Sequence, residues 1–518
     1  MREAEESIGQ GCDAELQLAP CAIVIFGATG DLTSRKLFPA LYNLHAYGRL
    51  PEGFVIVGTG RSEFTDDSFR EKMREALDEF APGYDRELWR RMALRLFYCR
   101  LDYDDVEGFR GLKDRLEEID ASEEVQDSTL GNRLFYLAVP PTLYTTIASH
   151  LGEAGLAAHE QRKGWSRIVV EKPFGHDLAS ARKLDATLHS SFAENQIFRI
   201  DHYLAKETVQ NILMFRFANA IFEPVWNRNF IEYISIISAE DLGVGHRAGY
   251  YDKAGVLRDM FQNHMMQLLA LSAMSPPSRF HADRVRDEKT RVYRSLRPFD
   301  VRREFKDLVL GQYEAGEVGG KRVPGYREEK GVAENSSTPT FAMLRVYLDN
   351  WRWQGVPFYL TSGKRLTDKI SRIVVRFKEV PHSMLRGVLD QTIEQNKLFM
   401  GIYPDEVIHM YFMAKQPAPL LCLRPVIMHY GFENDGEGPK LEAYEKVLLD
   451  CIMGDQMLFW RQDGVELTWG FLTPILEMCE ECGEFEEHLH RYPAGGWGPE
   501  AACSLHPGYH EDVTTKTS

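Results

Sequence analysis

The chain has 518 residues, of which 44% are hydrophobic and 11% aromatic, so we expect about two to four packed domains rather than a disordered protein. Its formal net charge of −16 excludes general nucleic-acid binding, which depends on basic surface, although a local basic cluster could still hold a small anion. The eight cysteines are scattered, residues 1–20 lack a signal-peptide pattern, and no apolar run reaches about 18 residues. We therefore expect a cytoplasmic protein that has neither nucleic acid nor membrane as a partner.

The N-terminal third alternates buried strands with helices. Continuous apolar runs predict strands at 21–27, 54–60, 133–140 and 166–175. Helical spacing predicts helices at 36–47, 142–157 and 177–192. Strand, helix and strand in series indicate an α/β doubly wound, Rossmann-like domain with a parallel sheet. We place this dinucleotide-binding domain at residues 21–199, after an N-terminal tail at 1–20.

A glycine turn follows the first strand, in the stretch IVIFGATGDL. Glycine lets the backbone approach a pyrophosphate, and the N–H groups of the helix start favour its charge, although glycine also ends strands in ordinary turns. Arg61 follows the second strand and favours the 2′-phosphate of NADP, whereas the nearby Glu63 leaves NAD open. The predicted cofactor-binding residues are Gly27, Ala28, Thr29, Gly30, Asp31, Leu32 and Arg61.

The rest of the chain has strand patterns without regular helices between them. Strands are predicted at 230–240, 341–350, 371–380 and 397–404, and helices at 203–217, 253–274 and 440–455, with a largely irregular passage at 314–339. This pattern predicts a larger α+β domain at 200–502 with a mainly antiparallel sheet, followed by a C-terminal tail at 503–518. CEEC at 479–482, with His488 and His490 nearby, lacks a clean four-ligand pattern, so we predict no metal.

The segment RIDHYLAKE at 199–207 places five ionisable residues, from Asp201 to Glu207, between apolar ones. One interpretation is the start of an amphipathic helix with paired charges. The other is the lining of a pocket for a charged small molecule. The segment alone favours the first interpretation, and the remaining motifs reverse that preference.

Several motifs together resemble the glucose-6-phosphate dehydrogenase family. Besides the glycine turn and RIDHYLAKE, these are EKPFG (171–175), RDMFQNHMMQLL (258–269), VPGYREEKGVAENSSTPTFAML (323–344) and YPAGGWGPEAA (492–502). The resemblance runs from about residue 21 to residue 502. It implies oxidation of D-glucose 6-phosphate to 6-phospho-D-glucono-1,5-lactone with NADP⁺, the first step of the oxidative pentose phosphate pathway, by a homodimer or homotetramer.

The resemblance also implies roles for single residues. Imidazole suits proton abstraction at neutral pH, and His264 matches the general base of the family, with Asp201 as the carboxylate that orients it. Pro173 matches a residue that positions the nicotinamide and Lys172 matches a substrate contact, and both are counted among the cofactor-binding residues. The substrate-binding residues implied are Lys172, His202, Tyr203, Lys206, Glu240, Asp259, Lys364 and Lys369.

Two other functions remain open at this stage. The resemblance implies that His202, Tyr203 and Lys206 bind the phosphate, and an oxidoreductase of the same chemistry acting on another sugar, such as free glucose, would have little use for them. A catalytically silent NADPH-binding regulator is opposed by the presence of His264, Asp201 and Lys172. A second, structural NADP site is doubtful, because Ile370 and Val374 stand where cations would be expected.

Overall fold

The computed structural model describes residues 18–122, 129–157, 164–299, 305–385, 393–417, 419, 421–431, 441–481 and 485–515. Cys482 of the CEEC motif, and most of the predicted N-terminal tail, lie outside them. The chain forms two compact units. The first comprises residues 1–174, 183–205 and 439–460, and the second comprises 175–182, 206–438 and 461–518. Both units are discontinuous in sequence.

The strands are numbered in chain order. They are β1 Ala22–Phe26, β2 Val55–Gly60, β3 Leu96–Arg100, β4 Arg133–Leu137, β5 Ser166–Val170, β6 Ile197–Arg199, β7 Ile231–Ala239, β8 Leu308–Glu314, β9 Gly316–Val318, β10 Lys321–Val323, β11 Phe341–Tyr347, β12 Pro357–Gly363, β13 Ile370–Phe377, β14 Lys397–Tyr403, β15 Val407–Lys415, β16 Leu423–Gly431 and β17 Leu489–Pro493.

The α-helices are numbered in the same way. They are α1 Phe38–Ala46, α2 Asp66–Phe80, α3 Arg86–Ala93, α4 Val106–Ala121, α5 Tyr144–Glu153, α6 Leu178–Ser191, α7 Glu207–Phe217, α8 Ala248–Val256, α9 Met266–Ala273, α10 Ala282–Arg294, α11 Ala443–Met453, α12 Gln462–Glu481, α13 Phe485–His488, α14 Ala501–Leu505 and α15 Tyr509–Thr514. Two π-helical segments, Thr33–Leu37 and Leu257–Met265, lead into α1 and α9.

The first unit contains a six-stranded parallel sheet in the order β3-β2-β1-β4-β5-β6. The order reverses at β1, so the carboxyl ends of β1 and β4 open the crevice where doubly wound sheets bind dinucleotides. All five residues of β1, AIVIF, are buried, as expected for a strand covered on both faces. Apolar residues of α11 join the same core, including Val447 and Leu448. The predicted doubly wound fold is confirmed.

The second unit contains a nine-stranded sheet in the order β16-β15-β14-β13-β7-β12-β11-β8-β17. Six neighbouring pairs are antiparallel, and the pairs β7–β12 and β8–β17 are parallel. The predicted mainly antiparallel sheet is therefore confirmed. In the passage predicted to be irregular, β9 and β10 form a short hairpin. No helix among the described residues is long and apolar enough to cross a membrane.

Candidate functional site

The glycine turn lies at the carboxyl end of β1. Gly27 has a φ of +83°, which glycine adopts without strain, and a Cβ there would clash with the carbonyl oxygen of Ala138. Its N–H donates to the hydroxyl of Tyr103 at 2.7 Å, and the Thr33 hydroxyl donates to its carbonyl oxygen at 3.0 Å. Glycine is therefore required at this position by the close approach of two strands and by the backbone geometry.

The helix after this turn begins at Asp31. The N–H of Ala28 donates to Thr59, and the N–H of Gly30 donates to Gly27, so both are used within the turn. The first N–H groups of a helix have no acceptor inside it, so Asp31 and Leu32 offer the donors that suit an anion. The turn as folded fits a pyrophosphate, and the donors that fit it best belong to the helix start.

Arg61 follows β2 directly and is exposed. No carboxylate of the described residues lies within ion-pair distance of it. The carboxylate of Glu63, by contrast, forms an ion pair with Arg100. A free guanidinium beside an engaged carboxylate fits a cofactor with a 2′-phosphate better than a ribose that needs an acidic partner.

Three neighbouring strands end in residues that form one partly buried polar cluster. Glu171 follows β5, and its carboxylate accepts from the hydroxyl of Tyr136 at 2.6 Å and lies 3.0 Å from Nε2 of His202, which follows β6. Burial by itself raises the pKa of Glu171, but the charge and hydrogen bond of His202, the Tyr136 hydroxyl and the charge of Lys172 outweigh it and leave that pKa lowered. Glu171 is thus held as a carboxylate against the His202 ring.

Asp201 lies beside this cluster and is buried. Its Oδ1 accepts from the backbone N–H of Tyr203 at 3.1 Å, which fixes the start of the segment containing His202. Lys172 and Pro173 follow Glu171 at the same edge of the sheet and are partly buried. The structure therefore places Lys172, Pro173, Asp201, His202 and Tyr203 along one edge of the first unit.

Two lysines of the second unit lie near one aromatic ring. The Nζ atoms of Lys206 and Lys369 lie 5.8 and 4.5 Å from the centroid of the Tyr403 ring. Burial, followed by the charge of Lys369, lowers the pKa of Lys206. Two ammonium groups beside one ring favour an anion nearby, which is what a phosphate-binding site requires.

Glu240 and Lys364 are brought together at the ends of β7 and β12. They form an ion pair, and Nζ of Lys364 also lies 4.9 Å from the centroid of the Tyr251 ring. The backbone N–H of Glu240 donates to the carbonyl of Gly363 at 2.9 Å, which continues the parallel pairing. A carboxylate and an ammonium group in contact suit hydrogen bonds to sugar hydroxyls.

His264 and Asp259 are both buried and lie on the π-helical segment Leu257–Met265. They are five residues apart, which is the hydrogen-bond step of a π-helix, so they lie on nearly the same side. The Asp259 carboxylate is 3.7 Å from the guanidinium of Arg247. Asp201 and His264 belong to different units, and their predicted contact stays a prediction.

Three residues near these side chains were not predicted from the sequence. Tyr403 and Tyr251 are the rings beneath the lysines, and Glu171 is the carboxylate beside His202. A signal was available only for Glu171, because it directly follows a buried strand, where doubly wound sheets place ligand-binding residues.

The first unit is a doubly wound dinucleotide domain whose glycine turn suits a phosphate group. The second unit has buried imidazole, carboxylate and lysine side chains. A chain with both features is defined as an NAD(P)-dependent oxidoreductase. Two family models match the chain: the glucose-6-phosphate dehydrogenase NAD binding domain over residues 24–211, and the C-terminal domain of the same family over residues 213–511. The chain therefore belongs to the glucose-6-phosphate dehydrogenase family, and the resemblance seen in its motifs is confirmed.

Individual relatives agree with the family models. The glucose-6-phosphate 1-dehydrogenase of Aggregatibacter actinomycetemcomitans is 47% identical over 487 residues, covering 94% of this chain and 95% of the relative. The enzyme of the same name from Bacillus subtilis (strain 168) is 40% identical over 489 residues, which cover 94% of this chain and 97% of the relative. A solved structure described as glucose-6-phosphate dehydrogenase in complex with its substrate glucose-6-phosphate is 33% identical, with a TM-score of 0.86 over 98% of this chain and 100% of the other.

Proposed function

We propose that this chain oxidises D-glucose 6-phosphate to 6-phospho-D-glucono-1,5-lactone with transfer of a hydride to NADP⁺, the first step of the oxidative pentose phosphate pathway. The observation that carries the proposal is the match of both family domains, which together span residues 24–511. The presence of His264 and Asp201 adds to it, because a silent relative would be expected to lack the base.

When bound, NADP⁺ is the hydride acceptor. The turn from Gly27 to Leu32 holds the pyrophosphate, and Arg61 holds the 2′-phosphate. Lys172 and Pro173 hold the nicotinamide end, beyond the carboxyl end of β5. The fit rests on the positive φ of Gly27 and on the helix donors that follow it.

Oxidation at C1 removes a hydride from carbon and a proton from its hydroxyl group. His264 takes that proton, because neutral imidazole is a base near physiological pH. Asp201 is the carboxylate to which we assign the role of fixing the tautomer of that base and stabilising the imidazolium that forms. A buried imidazole without a carboxylate would pay a desolvation cost on protonation.

The phosphate of the substrate is bound by His202, Tyr203, Lys206 and Lys369, which combine hydrogen-bond donors with positive charge. The lowered pKa of Lys206, caused by burial and then by Lys369, supports an anion at this position. The sugar hydroxyls are bound by Lys172, Glu240, Asp259 and Lys364, where carboxylate oxygens accept and ammonium groups donate.

A steady-state assay of nicotinamide reduction tests the proposal. Glucose 6-phosphate is compared with free glucose and with other hexose phosphates, each with NADP⁺ and with NAD⁺. We expect turnover with glucose 6-phosphate and NADP⁺, and a far lower kcat/KM with free glucose. Faster turnover of another sugar would favour the alternative substrate, and NADPH binding without any turnover would favour the silent regulator.

We also propose that the chain acts in the cytoplasm as a homodimer or homotetramer. Strand β16 lies at the edge of the large sheet and exposes the apolar side chains of Ile427, Met428 and Tyr430. An exposed apolar edge strand favours association with another chain. Light scattering on the purified protein should give the mass of two or four chains, and the mass of one chain would contradict this part of the proposal.

A further inference from the structure

The chain contains one extra residue directly after β12, at Lys364. The carbonyl of Gly363 accepts from the N–H of Glu240 at 2.9 Å, as in a regular parallel ladder. The same ladder would next pair the carbonyl of Glu240 with the N–H of Arg365. That carbonyl accepts instead from the N–H of Leu366 at 2.9 Å, so the chain bulges between the two bonds. A bulge of this kind changes the direction of the side chains beside it.

Arg365 is the residue whose backbone conformation makes the bulge. Its φ is +53°, in the left-handed region that residues other than glycine, asparagine and aspartate seldom adopt. Its N–H donates to the carbonyl of Leu242 at 3.2 Å, and its carbonyl accepts from the N–H of Gly495 at 2.8 Å. The main chain of Arg365 is therefore fixed on both sides in a conformation that arginine does not favour by itself.

The side chain of Arg365 is fixed as well. Its guanidinium group lies 3.3 Å from the carboxylate of Glu329, and the two side chains are only 17% and 7% exposed. Glu329 also accepts from the hydroxyl of Tyr313 at 2.7 Å and from the N–H of Gly245 at 3.1 Å. Gly243 passes so close that a Cβ there would clash with both members of the pair. The ion pair is thus enclosed by the chain around it.

This turn determines the direction of Lys364. The side chain of Lys364 is 10% exposed, and its ammonium group contacts Glu240 and lies 4.9 Å from the centroid of the Tyr251 ring. Its N–H donates to the carbonyl of Thr340 at 3.0 Å, and its carbonyl accepts from the hydroxyl of Tyr492 at 2.7 Å. A change of φ at the next residue would rotate the peptide group that contains this carbonyl. The bond to Tyr492 would then break, and the ammonium group would move away from Glu240.

We propose that Arg365 is a positioning residue for substrate binding: its left-handed backbone conformation, held by Glu329, keeps the ammonium group of Lys364 beside Glu240. This inference rests on the proposed function, because it assigns Lys364 and Glu240 to the hydroxyl groups of glucose 6-phosphate. Arg365 acts through Lys364 and has no assigned contact with the substrate. The family motifs predict a role for Lys364 and none for Arg365.

The test separates the backbone conformation of Arg365 from its charge. Arg365→Val removes the guanidinium group and disfavours a positive φ, whereas Arg365→Asn removes the same charge but tolerates that φ. We expect Arg365→Val to raise KM for glucose 6-phosphate about 10-fold, the order expected when a hydrogen bond from a charged group is lost. Arg365→Asn should stay within about threefold of the wild type, and KM for NADP⁺ should change less than about twofold in both variants.

A double variant shows whether the effect passes through Lys364. When Lys364→Met is already present, Arg365→Val should raise KM for glucose 6-phosphate no further, because both changes remove one interaction. Leu130→Val is the matched control, since Leu130 has a φ of +55° and is not a predicted site residue. This control should lower the melting temperature and leave KM for glucose 6-phosphate unchanged.

Three results would overturn the proposal. They are a wild-type KM for glucose 6-phosphate in Arg365→Val, an Arg365→Asn variant as impaired as Arg365→Val, and additive effects of Arg365→Val and Lys364→Met. Arg365→Ala covers the case in which the valine variant does not fold, because alanine also disfavours a positive φ and is smaller. A wild-type KM in a folded Arg365→Ala variant would equally overturn the proposal.

Failure of the proposed function gives a different result. A wild type that does not oxidise glucose 6-phosphate would refute that function. Calorimetric titration with glucose 6-phosphate would then replace KM, and Arg365→Val should bind more weakly than the wild type and Arg365→Asn. Equal affinities of Arg365→Val and the wild type would overturn the role of Arg365, and a wild type that binds no glucose 6-phosphate would refute both proposals.

Discussion

Replacing Arg61 by glutamine removes the cation that we assign to the 2′-phosphate of NADP⁺. Arg61 is exposed, so water screens its attraction to the phosphate and the effect should lie in the lower part of the range for hydrogen bonds to charged groups. A loss of about 2 kcal/mol corresponds to an increase in KM for NADP⁺ of about 30-fold. KM for NAD⁺ should change less than about twofold, because NAD⁺ has no phosphate there.

Initial rates with each cofactor at saturating glucose 6-phosphate measure this change. Arg90→Gln is the matched control, since Arg90 is another exposed arginine of the first unit and pairs with Glu87 on α3. Arg100→Gln adds a second comparison: it releases Glu63, whose free carboxylate should repel the 2′-phosphate and raise KM for NADP⁺ by a smaller factor. Equal changes in both KM values, or no change in either, would refute the assignment of Arg61.

Three further changes test the rest of the account. His264→Asn should lower kcat at least about 100-fold, because it removes the general base. Glucose 6-phosphate should still bind, because the variant keeps a polar side chain at this position. Rapid kinetics measures the loss of kcat, and ligand-induced thermal shifts measure substrate binding. Lys206→Met should raise KM for glucose 6-phosphate about 10-fold or more. In the wild type, this KM should rise with increasing pH at a pH below that at which an ordinary lysine deprotonates, since burial and Lys369 lower the pKa of Lys206. Gly27→Ala should weaken NADP⁺ binding and lower the melting temperature, because its Cβ would clash with Ala138.

Each of these predictions has a contradicting result. Wild-type kcat in His264→Asn would exclude that residue as the base. An unchanged KM for glucose 6-phosphate at every pH in Lys206→Met would exclude Lys206 from the phosphate-binding residues. Unchanged stability and cofactor affinity in Gly27→Ala would show that the turn tolerates a side chain.

The elements of the first unit were predictable where burial leaves a continuous pattern. All five residues of β1 are buried, and its continuous apolar run predicts the strand. The edge strand β3 was missed, because its sequence LFYCR ends in a polar residue that is exposed and gives too short a run. The helix predicted at 253–274 is divided, because Gly255 has a φ of +62° and Leu257–Met265 is π-helical. Periodicity of 3.6 residues cannot distinguish such a segment from an α-helix.

The site was predictable residue by residue through the family motifs, but its contacts were not. Glu171 lies 35 residues after Tyr136 and 31 residues before His202, and the three meet only because β4, β5 and β6 are neighbours in the sheet. Lys206 and Lys369 share the ring of Tyr403 for the same kind of reason, since long-range packing decides which loops approach each other. Local sequence contains no information on either arrangement without the strand order.

The most direct test of the central claim follows the hydrogen at C1. Glucose 6-phosphate labelled with deuterium at C1 is incubated with the protein and NADP⁺, and the reduced cofactor and the sugar product are analysed by mass spectrometry. The account predicts deuterated NADPH and 6-phosphogluconolactone, or its hydrolysis product, in equal amounts. Reduced cofactor without deuterium, or no reduction by a folded protein that binds both ligands, would contradict hydride transfer from C1 as the function of this chain.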